Sequence, residues 1–229
     1  LYRPYTVYPV TTEANADLTP EKLYGAEIGM GGVEGALNWD ATGFWNQLHG
    51  AISNVTIGQG PGSFPNAGFV PAGGLLIQLQ NVGNIKAYGI EAATHYRLTD
   101  TLRLNAAFDY VDAHVDGEAQ DPGLTGKRPS QAPHLTLTGG AGWSATDRLT
   151  LTADLRHESA RFADDQNTLR LAPATTVNAR ISYRLTDRLS AYLAADNLFN
   201  SRIETTESAN GIFDDAAPRI LRIGFSYGG

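Results

Sequence analysis

Cysteine is absent from this chain of 229 residues, which removes disulfide frameworks, thiolate nucleophiles and cysteine-ligated zinc from consideration. Charge is sparse: Asp, Glu, Lys and Arg make up 18% of the residues, against ~25% in a typical soluble domain. Although 42% of the chain is hydrophobic, no apolar run approaches the ~18 residues that a membrane helix requires. A helical membrane protein is therefore excluded. The formal net charge of -7 argues against general affinity for nucleic-acid phosphates. No basic start followed by an apolar stretch is seen, so none of these residues is expected to be a secretory leader.

What the chain does have is alternation. Apolar and polar residues interchange with the period of two that sends successive side chains to opposite faces of a strand. In 149–155, Leu149, Leu151, Ala153 and Leu155 oppose Thr150, Thr152 and Asp154; in 177–185, Val177, Ala179, Ile181, Tyr183 and Leu185 oppose Asn178, Arg180, Ser182 and Arg184. The last segment repeats it, with Leu221, Ile223, Phe225 and Tyr227 against Arg222, Gly224 and Ser226. None of these apolar faces carries a formal charge. The pattern predicts about nine strands, at 22–30, 37–53, 75–98, 102–114, 134–143, 149–158, 176–185, 189–197 and 219–227.

Three short elements, at 98–102, 145–149 and 185–189, share a Thr-Asp core and are expected to be tight hairpins, with Asp bonding its own backbone. The other connections are long and polar or rich in Gly and Pro: 58–74, 115–131, 159–174 and 201–217. In an up-and-down meander, such alternation trims one end of the sheet and loads the other. Tyr96, Trp143, Tyr183, Phe225 and Tyr227 sit on apolar faces at the trimmed end, with Phe108 and Tyr110 at the other, as in the two aromatic girdles of a membrane barrel. A soluble antiparallel sandwich would show the same alternation with its apolar face inward. The charge-free faces, the aromatics at strand ends and the alternating connections favour the membrane barrel. An open edge cannot face lipid, so closure is required; since bacterial single-chain barrels have even strand counts, nine strands mark a section of a larger barrel. Residues 1–20 would belong to an outer loop of it.

Several fragments, in this order and spacing, resemble one family: Leu1-Tyr2-Arg3-Pro4; Asn15 to Glu21 leading into Gly25-Ala26-Glu27-Ile28-Gly29; Asn81-Val82-Gly83-Asn84 with Tyr88-Gly89-Ile90-Glu91; Gly126-Lys127-Arg128 before Ala132-Pro133-His134; Asp196-Asn197-Leu198-Phe199-Asn200; and Pro218-Arg219 ahead of the terminal strand that ends at Tyr227. They resemble the carboxy-terminal part of the TonB-dependent outer-membrane receptors. The family's aromatic end is departed from, since Gly228-Gly229 follows Tyr227. The resemblance implies an all-β, antiparallel up-and-down transmembrane barrel segment, within a barrel of about 22 strands, residues 1–229 forming its carboxy-terminal portion. It also implies a bacterial outer-membrane location and a lumen filled by a plug domain that lies outside this chain. The partners it implies are outer-membrane lipid, the remaining strands and plug, TonB acting through the plug, and a scarce nutrient, a ferric siderophore by family frequency. No cofactor is expected. A passive porin or autotransporter barrel, or a soluble β-rich binding module, are the competing readings.

No catalytic constellation is expected. His49, His95, His114, His134 and His157 are dispersed, without metal-site spacing. Asp164-Asp165-Gln166-Asn167 lacks the glycine and distal glutamate of a calcium loop and reads as a solvated loop. The polar faces predict lumen-directed Glu27, Glu91, Arg97, Arg103, Asp109, Asp154, Arg156, Arg180, Arg184 and Arg222, mostly pairing with one another along the inner wall. Ligand capture is assigned to the loops and outer lumen, with Tyr5, Tyr8, Arg161, Asp164 and Arg170 as candidates.

Overall fold

A computed structural model describes residues 5–7, 10–81, 83–117, 122–208 and 210–228. Period-two segments become nine wall strands: β1 (Lys22–Glu34), β2 (Leu37–His49), β3 (Asn84–Arg97), β4 (Leu102–Asp116), β5 (Leu135–Ser144), β6 (Leu149–Glu158), β7 (Ala174–Arg184), β8 (Leu189–Asp196) and β9 (Ile220–Tyr227). They form one sheet in which every strand pairs antiparallel with its neighbours in sequence, from β1 at one edge to β9 at the other. This is the up-and-down meander that the alternating connections imply.

The trimmed end carries four tight turns, one more than the three Thr-Asp elements. The additional turn is Gly35-Ala36, where Gly35 adopts φ +61° and lets β1 run to Glu34 rather than stopping at Met30. In the three Thr-Asp turns the capping group is the threonine, not the aspartate. Thr99, Thr146 and Thr186 each accept, through Oγ1, the backbone N–H three residues ahead, from Leu102 (2.9 Å), Leu149 (3.0 Å) and Leu189 (3.1 Å). A threonine hydroxyl at the first turn position mimics a backbone carbonyl, and the same geometry recurs three times.

At the other end, two predicted strands are interrupted. β2 stops at His49 because Gly50 turns the chain at φ +62°, and β3 starts at Asn84 because Gly83 turns it at φ +91°. Between them, Ile52–Gln59 and Leu75–Asn81 leave the wall and pair in a separate outer sheet, with Val10–Glu13 parallel to Leu75–Asn81 and Tyr5–Val7 outside it. Asn81 pins this departure: its Nδ2 donates to Gly50 O (2.6 Å) and Thr19 O (3.0 Å), and its Oδ1 accepts Thr19 N–H (2.9 Å).

Burial is distributed unlike a soluble core. The clustered buried residues Ala51, Val55, Val115 and Leu124, with Leu48 and Ile85 against them, lie beneath the outer loops and not between layers of the sheet. The apolar face of the wall stays open even at its centre, where Leu155, Ile181 and Leu193 are 41%, 46% and 52% exposed. Register aligns Trp143, Leu151, Ile181, Leu193 and Ile223 in one row across five strands on that face. Tyr96 and Tyr88 mark its two borders on β3, eight residues apart, or ~26 Å at ~3.3 Å per residue. With the usual tilt near ~40°, this gives a band of ~20 Å, close to the ~25 Å of outer-membrane barrels. Tyr24, Trp45, Tyr88 and Tyr110 form the upper border over β1 to β4; register sets Phe108 opposite Ala92 and Leu137, inside the band and below that border.

Candidate functional site

The opposite face of the wall is polar. Register and alternation place Glu27, Glu91, Arg97, Arg103, Asp109, Asp154, Arg156, Arg180, Arg184 and Arg222 on the side away from Ile181 and Leu193. Mutual pairing covers only part of this set. Arg156 bonds Glu158 (2.6 Å), Arg222 bonds Asp196, Arg184 donates to Asp147 O (2.7 Å), and Arg180 lies 3.8 Å above the Tyr192 ring. Glu27, Glu91, Asp109, Asp154, Arg97 and Arg103 form no ion pair among the described residues. Glu91 faces Asp109, Arg97 faces Arg103, and Asp109 Oδ1 is buried without a hydrogen bond. Such like-charged neighbours destabilise a lone sheet and suit a wall that meets another polar surface. Gly89 lets the neighbouring backbone and Phe44 come close: a Cβ there would meet the Tyr110 carbonyl first and come within 2.6 Å of the Phe44 ring.

Above this wall three of the four long loops and the outer sheet are stitched together. Arg161, 8% exposed, is the central stitch: its Nε donates to Gln131 Oε1 (2.9 Å), its Nη1 reaches Glu158 Oε2 (3.3 Å), and its Nη2 donates to Glu204 O (3.0 Å). Asp164 caps its own turn, accepting Thr168 N–H and Oγ1–H and Leu169 N–H at 2.7–3.0 Å. Asp165 accepts Thr56 Oγ1–H at 2.9 Å from the outer sheet, and Asn167 brackets the backbone of Arg128 with bonds of 2.8 and 2.9 Å. The 164–167 segment is thus not the solvated loop expected of it; Asp164 and Asp165 are buried because their carboxylates replace missing backbone partners. Arg202 clips the last loop through both carboxylate oxygens of Asp215 (2.9 and 3.0 Å), and that bond holds its pKa above the ordinary arginine value.

Between loops and wall lies a cavity of about 400 Å³, lined by Asp109, Arg128, Gln131, His134, Arg156 and Glu158 among others. Both signs of charge converge there, so the cavity offers donors and acceptors side by side. Of the capture candidates, Arg161 and Asp164 shape this mouth and offer no free group. Arg170 is exposed and pairs through its backbone with Phe162, while its side chain forms no hydrogen bond or ion pair among the described residues. Tyr5 lies in a described strand, without a described side chain, and Tyr8 lies outside the described residues. Arg128 and Gln131 also line this mouth; the sequence points to Arg128 only through the Gly126-Lys127-Arg128 fragment, and Gln131, at φ +60°, has no sequence signal.

Residues 2–198 match the family model described as TonB dependent receptor-like, beta-barrel. The chain belongs to the TonB-dependent receptor family. It is 25% identical over 198 residues to an iron-regulated outer membrane virulence protein of Vibrio cholerae, covering 84% of this chain and 29% of that protein. It is also 25% identical over 212 residues to a ferric enterobactin receptor of Pseudomonas aeruginosa, covering 86% and 26%. The ferric yersiniabactin uptake receptor FyuA of Yersinia pestis shares the fold, with TM-score 0.69 at 16% identity over 90% of this chain and 30% of that one. The chain therefore spans about three-tenths of the length of these relatives. It is part of the wall of an outer-membrane receptor barrel.

In this receptor wall, the family fragment Asn197-Leu198-Phe199-Asn200 closes the top of β8. Asn197 (φ +49°) and Asn200 (φ +55°) turn left-handed; Asn197 exchanges two 2.8 Å bonds with Ser201, and Asn200 Oδ1 accepts Arg219 N–H at 2.9 Å. Arg219 Nη1 also reaches Leu198 O (3.4 Å). Pro218-Arg219 is thereby set at the entry to β9, whose end pairs Tyr227 with Leu189.

Proposed function

We propose that this chain is the carboxy-terminal portion of the barrel of an active-transport receptor. In this reading the receptor captures a scarce nutrient outside the cell, a ferric siderophore, and admits it through a lumen filled by a plug, with energy delivered by TonB. The work is binding and passage, with no bond made or broken. One observation carries the reading: a polar inner wall with unpaired charges of both signs lies beneath loops stitched into a mouth by Arg161, Asp165 and Asn167. Such a wall fits a folded polar domain in the lumen, where a water-filled porin would leave Glu91 beside Asp109 and Arg97 beside Arg103 without counter-charges. The names of the iron-regulated and ferric enterobactin relatives support iron as the cargo.

The test is uptake of ⁵⁵Fe-siderophore by iron-starved cells carrying the complete gene, its deletion, or the complete gene in a strain lacking TonB. Uptake that requires both the gene and TonB supports the reading. Uptake that persists without TonB contradicts it. Joint replacement of Tyr5, Tyr8, Arg161, Asp164 and Arg170 by alanine is expected to weaken ligand binding to the complete receptor, because it releases the mouth from its stitches; unchanged affinity would discard the loops as the capture surface.

A further inference from the structure

Register draws one row across the polar face of the wall, running Arg97, Arg103, Gly142, Thr152, Arg180, Ala194 and Arg222, in which four of seven positions are arginine and none is acidic. All four arginines are exposed. Arg97 adjoins the 98–102 turn, so the row begins at the trimmed end of the barrel. Its charge is largely uncompensated. Arg97 and Arg103 face each other, and their side chains form no hydrogen bond or ion pair among the described residues. Arg180 donates Nε to Ser182 Oγ (3.0 Å) and stacks over Tyr192, neither of them a counter-charge. Arg222 alone has a carboxylate partner among the described residues, Asp196.

The middle of the row is a trough. A Cβ added to Gly142 would meet nothing within 4 Å, and Thr152 beside it carries only a short side chain. Three strand spacings of ~4.8 Å separate Arg103 from Arg180, so the floor is about 14 Å across, wide enough for one extended segment. At its head Asn105 and Asp154 lean over Gly140, where a Cβ would come within 2.5 and 3.0 Å of their side-chain oxygens. Covering this row with a neutral or basic surface would strip water from the guanidinium groups and return nothing, a cost that a counter-charge offsets. Guanidinium forks match carboxylates with paired hydrogen bonds.

We infer that this trough seats an extended acidic segment of the plug, its carboxylates held between Arg97 and Arg103 on one side and Arg180 on the other. The inference rests on the plug-filled lumen proposed above, and it adds where the plug meets this wall and with which charge.

The experiment uses the complete receptor purified in dodecyl maltoside, each variant checked for folding by heat-modifiable electrophoretic mobility. In the first variant the photo-crosslinking residue p-benzoylphenylalanine replaces Thr152, and the captured peptide is identified by mass spectrometry. In the second, Arg103→Lys keeps the charge and supplies an amine that a water-soluble carbodiimide joins to a carboxylate in contact with it. Ala107→Lys is the reference, on the same face but lining a cavity with Glu91 and Asp109. The expected result is a plug peptide rich in Asp and Glu at Thr152, and coupling of Arg103→Lys to a carboxylate of that peptide at least about fivefold above any plug coupling of Ala107→Lys, as charge complementarity requires. A captured plug peptide without Asp or Glu, or no plug coupling in the folded Arg103→Lys receptor, overturns the acidic segment and leaves the plug-filled lumen standing. No plug peptide from either variant overturns both. Should Arg103→Lys not fold, Arg97→Lys supplies the same amine from across the pair.

Discussion

Thr146 shows how a single hydroxyl organises the trimmed end of the barrel. Its Oγ1 accepts the N–H of Leu149, so Thr146→Ala in the complete receptor is expected to cost about 1 kcal/mol. Asp147→Ala should cost less, because no side-chain bond of Asp147 is found among the described residues; urea unfolding of the two variants in micelles checks the order. The turn itself was legible from the Thr-Asp repeat, but the capping atom was not, since both residue types favour such turns. Gly89 is a sharper case. Replacing it with leucine drives the new Cβ into the backbone carbonyl of Tyr110 and the Phe44 ring, and folded receptor in the outer membrane should fall steeply; Phe44→Ala should restore little of it, because the Tyr110 carbonyl is part of the strand backbone. Arg161 sits between these extremes. Removing it leaves Gln131 and Glu204 O without their partner, so Arg161→Ala should raise hydrogen exchange in 159–173 and 197–208 while leaving the wall strands protected. Sequence marked Arg161 as functional because it is a loop arginine; burial, which only long-range packing determines, assigns it to scaffolding.

At the scale of the element, a strand such as β7 carries two environments on one backbone. Ile181→Arg puts a charge at the middle of the apolar band and should destabilise the barrel by about 2–4 kcal/mol, whereas lumen-face substitutions are tolerated better, so Arg180→Gln should cost well under half of that in the same unfolding assay. Face assignment for β1 to β9 was legible because period-two alternation survives any choice of partner. The ends of β2 and β3 were not. Residues 52–59 and 75–81 are as strand-like as the wall itself, and only the left-handed turns at Gly50 and Gly83, with the Asn81 clamp, send them into a separate sheet. The same limit applies to loop contacts: Thr56 and Asp165 are 109 residues apart, and nothing local announces their bond.

For the whole molecule, the sheet runs open from β1 to β9 with a face of Leu, Ile and aromatic side chains that no described element covers. Composition and periodicity could establish that face, and fragments such as Asn197 to Asn200 could suggest the family, but the number of strands missing from the barrel and the cargo are properties of the complete receptor. The decisive physical question is which side of the wall meets hydrocarbon. This chain has no cysteine of its own; with any cysteine elsewhere in the complete receptor replaced by serine, single cysteines can be placed at 177 to 183, spin-labelled in vesicles, and probed with oxygen, which partitions into lipid, and a water-soluble nickel chelate. The account predicts high oxygen accessibility at 177, 179, 181 and 183, alternating with low values at 178, 180 and 182. The reverse alternation, or nickel accessibility at 181, would contradict it.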